Sequence, residues 1–134
     1  MGLDNGIILH TKTKINAPKE LKGRLSDFSI GEDEYQYDIC YWRKCWNIRR
    51  GVWQALNTAP DYVYIDSLTI DEIKQIWKVI YDLNARDVWD EGGYTIWSYD
   101  EIHDQLDYDL LSLEWLISYL REHPDARAEF YDSY

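Results

Sequence analysis

Hydrophobic positions along the chain fall into short β-like runs and longer helical stripes, separated by Gly, Pro and acidic residues. The opening Gly2-Leu3-Asp4-Asn5-Gly6-Ile7-Ile8-Leu9-His10-Thr11 predicts a short strand entered through a glycine turn. Residues 12–33, with Pro18, Gly23, Gly31 and little periodicity, predict a loop. From Glu34 to Asn57, Ile39, Trp42, Trp46, Arg49, Trp53 and Leu56 recur at three-to-four spacing. A second row, Tyr37, Tyr41, Cys45, Ile48 and Val52, recurs in the same way. Two such rows predict one central helix covered on more than one side.

Tyr62-Val63-Tyr64-Ile65-Asp66 is rich in β-formers and predicts a strand. Thr69 with Glu72 is a capping-box pair ahead of Ile73, Ile76, Trp77, Ile80 and Leu83, and predicts an amphipathic helix. After the turn Asp90-Glu91-Gly92-Gly93, residues Tyr94–Tyr99 predict a strand. Ser98 and Glu101 form a second capping-box pair, which leads into the stripe Ile102, Leu106, Leu110, Leu113, Ile117 and Leu120. Pro124 stops that helix, and residues 124–134 are expected to be a frayed tail or to dock on a partner. The pattern gives one α+β domain over 1–134, a small three-stranded sheet with three helices packed on one face.

Charge refines this picture. The 134 residues carry 14 Lys and Arg against 25 Asp and Glu, a net of −11. Residues 1–60 hold nine basic and seven acidic side chains (+2), whereas 61–134 hold five and eighteen (−13). Such a split predicts a molecule with opposed basic and acidic faces, or one that pairs with itself as a homo-oligomer. Direct binding to duplex DNA is not expected of so acidic a chain. No apolar run reaches the roughly 20 residues that span a bilayer, and the first twenty lack the order of a secretory signal. No membrane association is therefore expected, and the setting expected is the cytoplasm. Cys40 and Cys45, about 140° apart on a helix, are read as small apolar residues and not as a disulfide.

Three clusters could carry chemistry. The first is the segment Tyr41, Trp42, Arg43, Lys44, Trp46, Asn47, Arg49 and Arg50, where four basic residues lie within eight positions. Guanidinium forks suit phosphate and aromatic rings suit base stacking, so this segment predicts a binding site for a nucleotide-like anion. The alternative is that the tryptophans are core and the cations pair with the chain's own carboxylates. The second is an acidic helix face, Asp100, Glu101, Asp104 and Asp107, which could occupy a basic cleft on another protein or simply be solvated. The third is the pair His103 and Asp107, which with His10 or His123 would form part of a cation site; two ligands alone do not make one. No Gly-x-Ser-x-Gly, His-Glu-x-x-His, phosphate-loop or dinucleotide fingerprint occurs, so no catalytic residue, metal or cofactor is assigned.

Met1-Gly2-Leu3-Asp4, Tyr41-Trp42-Arg43-Lys44 and Trp97-Ser98-Tyr99-Asp100-Glu101 follow one another in the order and spacing of a family of small bacteriophage and prophage proteins. The chain resembles that uncharacterised family over about residues 1–120. It has Trp46 and Arg49 where the family often has Asn and His. The resemblance implies a mobile-element origin and a bacterial host cytoplasm, with no assigned activity. Together the readings predict a non-enzymatic accessory protein that binds a small anionic ligand or sequesters a host signal. The alternatives are an acidic protein that blocks a nucleic-acid-binding or defence protein of the host, and a metal-dependent hydrolase.

Overall fold

A computed structural model of the chain describes residues 4–15, 27–31, 34–43, 46–58, 64–85 and 99–133. Strands β1 (Asp4–Thr11), β2 (Asp27–Gly31), β3 (Glu34–Arg43) and β4 (Arg127–Ser133) form one sheet in the order β2-β3-β1-β4, with every neighbouring pair antiparallel. Three helices, α1 (Trp46–Ala55), α2 (Ile70–Ala85) and α3 (Tyr99–Glu122), complete an α+β domain. Three longer strands, β3-β1-β4, make the body of the sheet, and the five-residue β2 extends it at the edge. Helix α3 packs on β3, α2 on α3 and α1 on α2.

Alternation decides which side of the sheet is core. On β1, Asn5, Ile7, Leu9 and Thr11 are buried, as are their cross-strand partners Trp42, Cys40 and Tyr37 on β3 and Phe130 and Ala128 on β4. Against this face α1 buries Ile48 and Val52, α2 buries Ile73, Ile76 and Ile80, and α3 buries Leu106, Leu113 and Leu116. Each of these side chains contributes about 1.5–3 kcal/mol by leaving water. The opposite face carries Asp4, His10, Gln36, Asp38, Tyr41, Glu129 and Tyr131, a polar and aromatic surface of the kind an antiparallel sheet can leave toward water.

The expected central helix over Glu34–Asn57 is corrected. Its first half, including Tyr41-Trp42-Arg43, is strand β3, and only Trp46–Ala55 is helical. A β-bulge explains the misreading. Ile7 pairs with Cys40 and Ile8 with Asp38, which leaves Ile39 as an extra residue on β3. The bulge shifts the two-residue alternation by one place and creates an apparent spacing of three between Ile39 and Trp42. Within the expected loop 12–33, Asp27–Gly31 pairs with β3. The expected tail is also ordered, since Arg127–Ser133 is a β1 neighbour. Of the expected strand Tyr62–Asp66, Ile65 forms a single bridge with Phe130, and residues 61–63 lie outside the described set. The expected strand Tyr94–Tyr99 lies outside it up to residue 98, as does the Ser98 cap, and Tyr99 begins α3.

Two helix ends are closed as their chemistry requires. The backbone N–H of Thr69 donates to Glu72 Oε1 at 2.8 Å and the N–H of Glu72 donates to Thr69 Oγ1 at 3.1 Å, a reciprocal capping box at the start of α2. Helix α1 ends on Asn57, whose φ of 56° is left-handed, and the Thr58 N–H reaches back to the Trp53 carbonyl at 3.0 Å. Gly51 on α1 lies so close to α2 that a Cβ there would stand 2.5 Å from Val79 Cγ1.

Candidate functional site

Two polar features flank α1, one buried beneath it and one open beside it. The buried one is built on a single register level of the sheet. Asn5 on β1 is the cross-strand partner of both Trp42 on β3 and Asp132 on β4, and all three face the helices. The Trp42 indole Nε1 donates to Asp109 Oδ2 of α3 at 2.7 Å, and Gln105 Nε2 donates to Asp109 Oδ1 at 3.0 Å. From α1, Arg49 Nε donates to Asp132 Oδ2 at 2.8 Å, with both side chains almost wholly buried. Asn5 and Asp109 are fully buried. The row thus places two carboxylates, a guanidinium, an indole and an amide inside the core, where polar groups persist only when partnered.

The open feature is a groove of about 500 Å³ between α1 and α2. Asn47, Arg50 and Gln54 line it from α1 and Asp82 from α2, together with Gly51 and Val79, where the two helices approach closely. Its volume lies within the range of small-molecule sites. Arg50 is exposed and Asn47 half-buried. The groove offers a planar cation, two carboxamides and a carboxylate, a set that can bind an anionic group together with hydroxyls or a heterocycle edge.

The residues expected to bind the ligand therefore separate. Asn47 and Arg50 share the groove. Trp42 and Arg49 do not reach it and are corrected to core residues, held by Asp109 and Asp132. Tyr41 is exposed on the other face of the sheet, where its hydroxyl donates to Asp4 Oδ1 at 2.7 Å. The side chains of Arg43, Lys44 and Trp46 lie outside the described residues. The cause of the separation is the β3-to-α1 break: residues expected on one helix are divided between a strand and a helix. Sequence reasoning missed Asn5, Gln105, Asp109 and Asp132. One signal was available, because Asp109 interrupts the apolar stripe between Leu106 and Leu113 at helical spacing.

On the acidic face, Asp104 and Asp107 are exposed, and Asp107 Oδ1 accepts a 2.9 Å bond from Asn84 Nδ2; the side chains of Asp100 and Glu101 are not among those described. His103 Nδ1 bonds Asn84, His10 Nε2 lies 3.0 Å from Glu129 Oε1, and His123 Nδ1 lies 3.0 Å from the Tyr119 carbonyl. Among the described residues no three His, Cys, Asp or Glu side chains form a group able to hold a metal ion.

On the outer face, Glu129 takes bonds from Tyr64 and His10; burial acts to raise its pKa, but the two bonds outweigh it and hold the carboxyl below its ordinary value. The bond to Glu129 pushes the Tyr64 phenol up to about 12. Burial, with the nearby Asp38, Tyr41 and Asp4, raises that of Tyr131.

No helix among the described residues is long and apolar enough to cross a membrane. The chain matches no protein-family model, no curated protein and no solved structure.

Proposed function

We propose that this chain is a small non-enzymatic accessory protein of phage or prophage origin that binds a nucleotide-like anion in the groove between α1 and α2. One observation carries the reading: Arg50 and the carboxamides of Asn47 and Gln54 line one open groove of about 500 Å³. In this reading the Arg50 fork takes the phosphate, and the two amides offer paired donors and acceptors to a base edge. Asp82, on the opposite wall, accepts from sugar hydroxyls. The protein acts as a homo-oligomer in the host cytoplasm, where it sequesters its ligand.

Calorimetry with mono-, di- and cyclic nucleotides tests this. Binding by the unaltered protein that weakens about tenfold or more in Arg50→Ala is the expected result, since a charge-assisted hydrogen bond is worth about 1.5–3 kcal/mol. No heat at millimolar nucleotide, or equal binding by Arg50→Ala, rejects the reading.

A second reading rests on α3, where exposed Asp104 and Asp107 lie in one stretch with exposed Tyr108 and Leu111. Such a surface suits a cationic host protein, and its affinity would fall steeply with salt. Salt-independent capture, or none, removes it.

A further inference from the structure

The buried row has a remainder that its own partners do not absorb. Trp42 is held by Asp109, and one oxygen of Asp132 is held by Arg49. Asn5 Nδ2, Asn5 Oδ1 and Asp132 Oδ1 are buried and find no hydrogen-bond partner among the described residues. They belong to residues directly opposite one another on β1 and β4. Buried polar atoms are rarely left unpaired in a folded protein, and a carboxamide with both ends unpaired is a strong exception.

We propose that Asn5 and Asp132 enclose an internal hydration site between the sheet and α1. Charge selects the guest. Arg49 already neutralises Asp132, and a metal cation cannot accept the hydrogen bond that the unpaired Asn5 Nδ2 has to donate. An anion would face the open oxygen of a carboxylate. The guest is therefore neutral, and it both donates and accepts. Size selects it further, because Asn5 is fully buried and the Asp132 side chain is 1% exposed. Water meets all three requirements.

The strand geometry fits. The Cβ atoms of residues directly opposite on adjacent antiparallel strands stand about 4.5–5.5 Å apart. Asn5 and Asp132 are therefore near enough for one water, with hydrogen bonds of about 2.8 Å, to reach both side chains. One water accepts from Asn5 Nδ2 and donates to Asp132 Oδ1, and a second donates to Asn5 Oδ1. A chain of this length is expected to hold about five buried waters, at one per ~27 residues. The site would join the C-terminal strand to the central one through a contact that neither side chain makes directly.

The wild-type protein, labelled with ¹⁵N, gives the primary test. Asn5 side-chain amide protons should show cross-peaks to water with the sign pattern of a molecule that tumbles with the protein. Absence of those cross-peaks overturns the proposal. Asn5→Leu, which matches the branching of the side chain though its methyl groups are bulkier, gives an independent readout. If the site is hydrated, the substitution deprives Asp132 Oδ1 of its bridging donor and the melting temperature falls. If the atoms are dry, two unpaired polar groups are replaced by an apolar one, the melting temperature rises, and the proposal fails. Should Asn5→Leu not fold, the wild-type spectra decide alone.

Discussion

The Trp42 indole and the Asp109 carboxylate, both fully buried, share a 2.7 Å hydrogen bond that ties the long strand β3 to the middle of α3. The bond matters more for what its loss would leave behind than for its own strength. A buried carboxylate that loses a donor keeps the desolvation penalty without the compensation. Trp42→Phe removes the donor and leaves a small void beside Phe130, whose ring centroid lies 6.4 Å from that of Trp42. We expect a loss of about 2–4 kcal/mol in urea unfolding. Asp109→Asn, which keeps an acceptor oxygen, should lose less than Asp109→Ala. Equal losses in the two Asp109 variants would show that the hydrogen bond contributes nothing.

Adjacent arginines on α1 should respond in opposite ways. Arg49→Ala leaves Asp132 as an uncompensated buried charge, and about 3–5 kcal/mol of stability should disappear. Arg50→Ala removes an exposed side chain and should change stability by no more than about 0.5 kcal/mol, while the proposed nucleotide binding should weaken about tenfold or more. Denaturant titration and calorimetry on the same two variants separate the roles. A stable Arg49→Ala protein would contradict the buried ion pair.

Much of the helical half of the fold is legible in the sequence because its determinants are local. Thr69 and Glu72 are three residues apart and cap α2 as the pattern indicates, and the leucines of α3 keep one period until Pro124. The sheet is harder to read because one residue, Ile39, shifts the alternation of β3. In β4 the inward position beside Asn5 is taken by Asp132, so the strand lacks the apolar period that would reveal it. The site divides along the same line. Nothing near Arg49 or Arg50 says which of them faces a carboxylate 83 positions away, so their roles become visible only when β4 is in place.

Asn57 closes α1 in the left-handed region, where a side chain with a Cβ is strained and glycine is not. Asn57→Gly should therefore leave stability unchanged or raise it slightly. Asn57→Val should lower it by about 1–2 kcal/mol, since a β-branched residue resists this conformation. Thermal melts of the two variants give the comparison. A Val variant as stable as the Gly variant would mean that α1 ends differently in solution.

The outer-face contact between Tyr64 and Glu129 should limit the fold at both ends of the pH scale. Glu129 is held below its ordinary 4.5 in the folded chain, so between the two values the unfolded state binds more protons and stability falls as acid is added. The contribution is complete above about pH 4.5 and is lost as pH drops through the folded value. Tyr64 is shifted the other way, from 10.0 to about 12. Between those values the unfolded chain has released the phenol proton and the native chain retains it, so stability falls as pH rises. Tyr64→Phe should flatten the alkaline slope between pH 10 and 12 and weaken the acid slope, because Glu129 then loses one of the two hydrogen bonds that lower its pKa and keeps that from His10. Glu129→Gln should remove this acid contribution and return the Tyr64 titration toward its ordinary range. Urea midpoints across the two pH windows, with the phenol followed by ultraviolet absorbance, measure both effects. Parallel slopes in wild type and Tyr64→Phe would show that the pair does not form in solution.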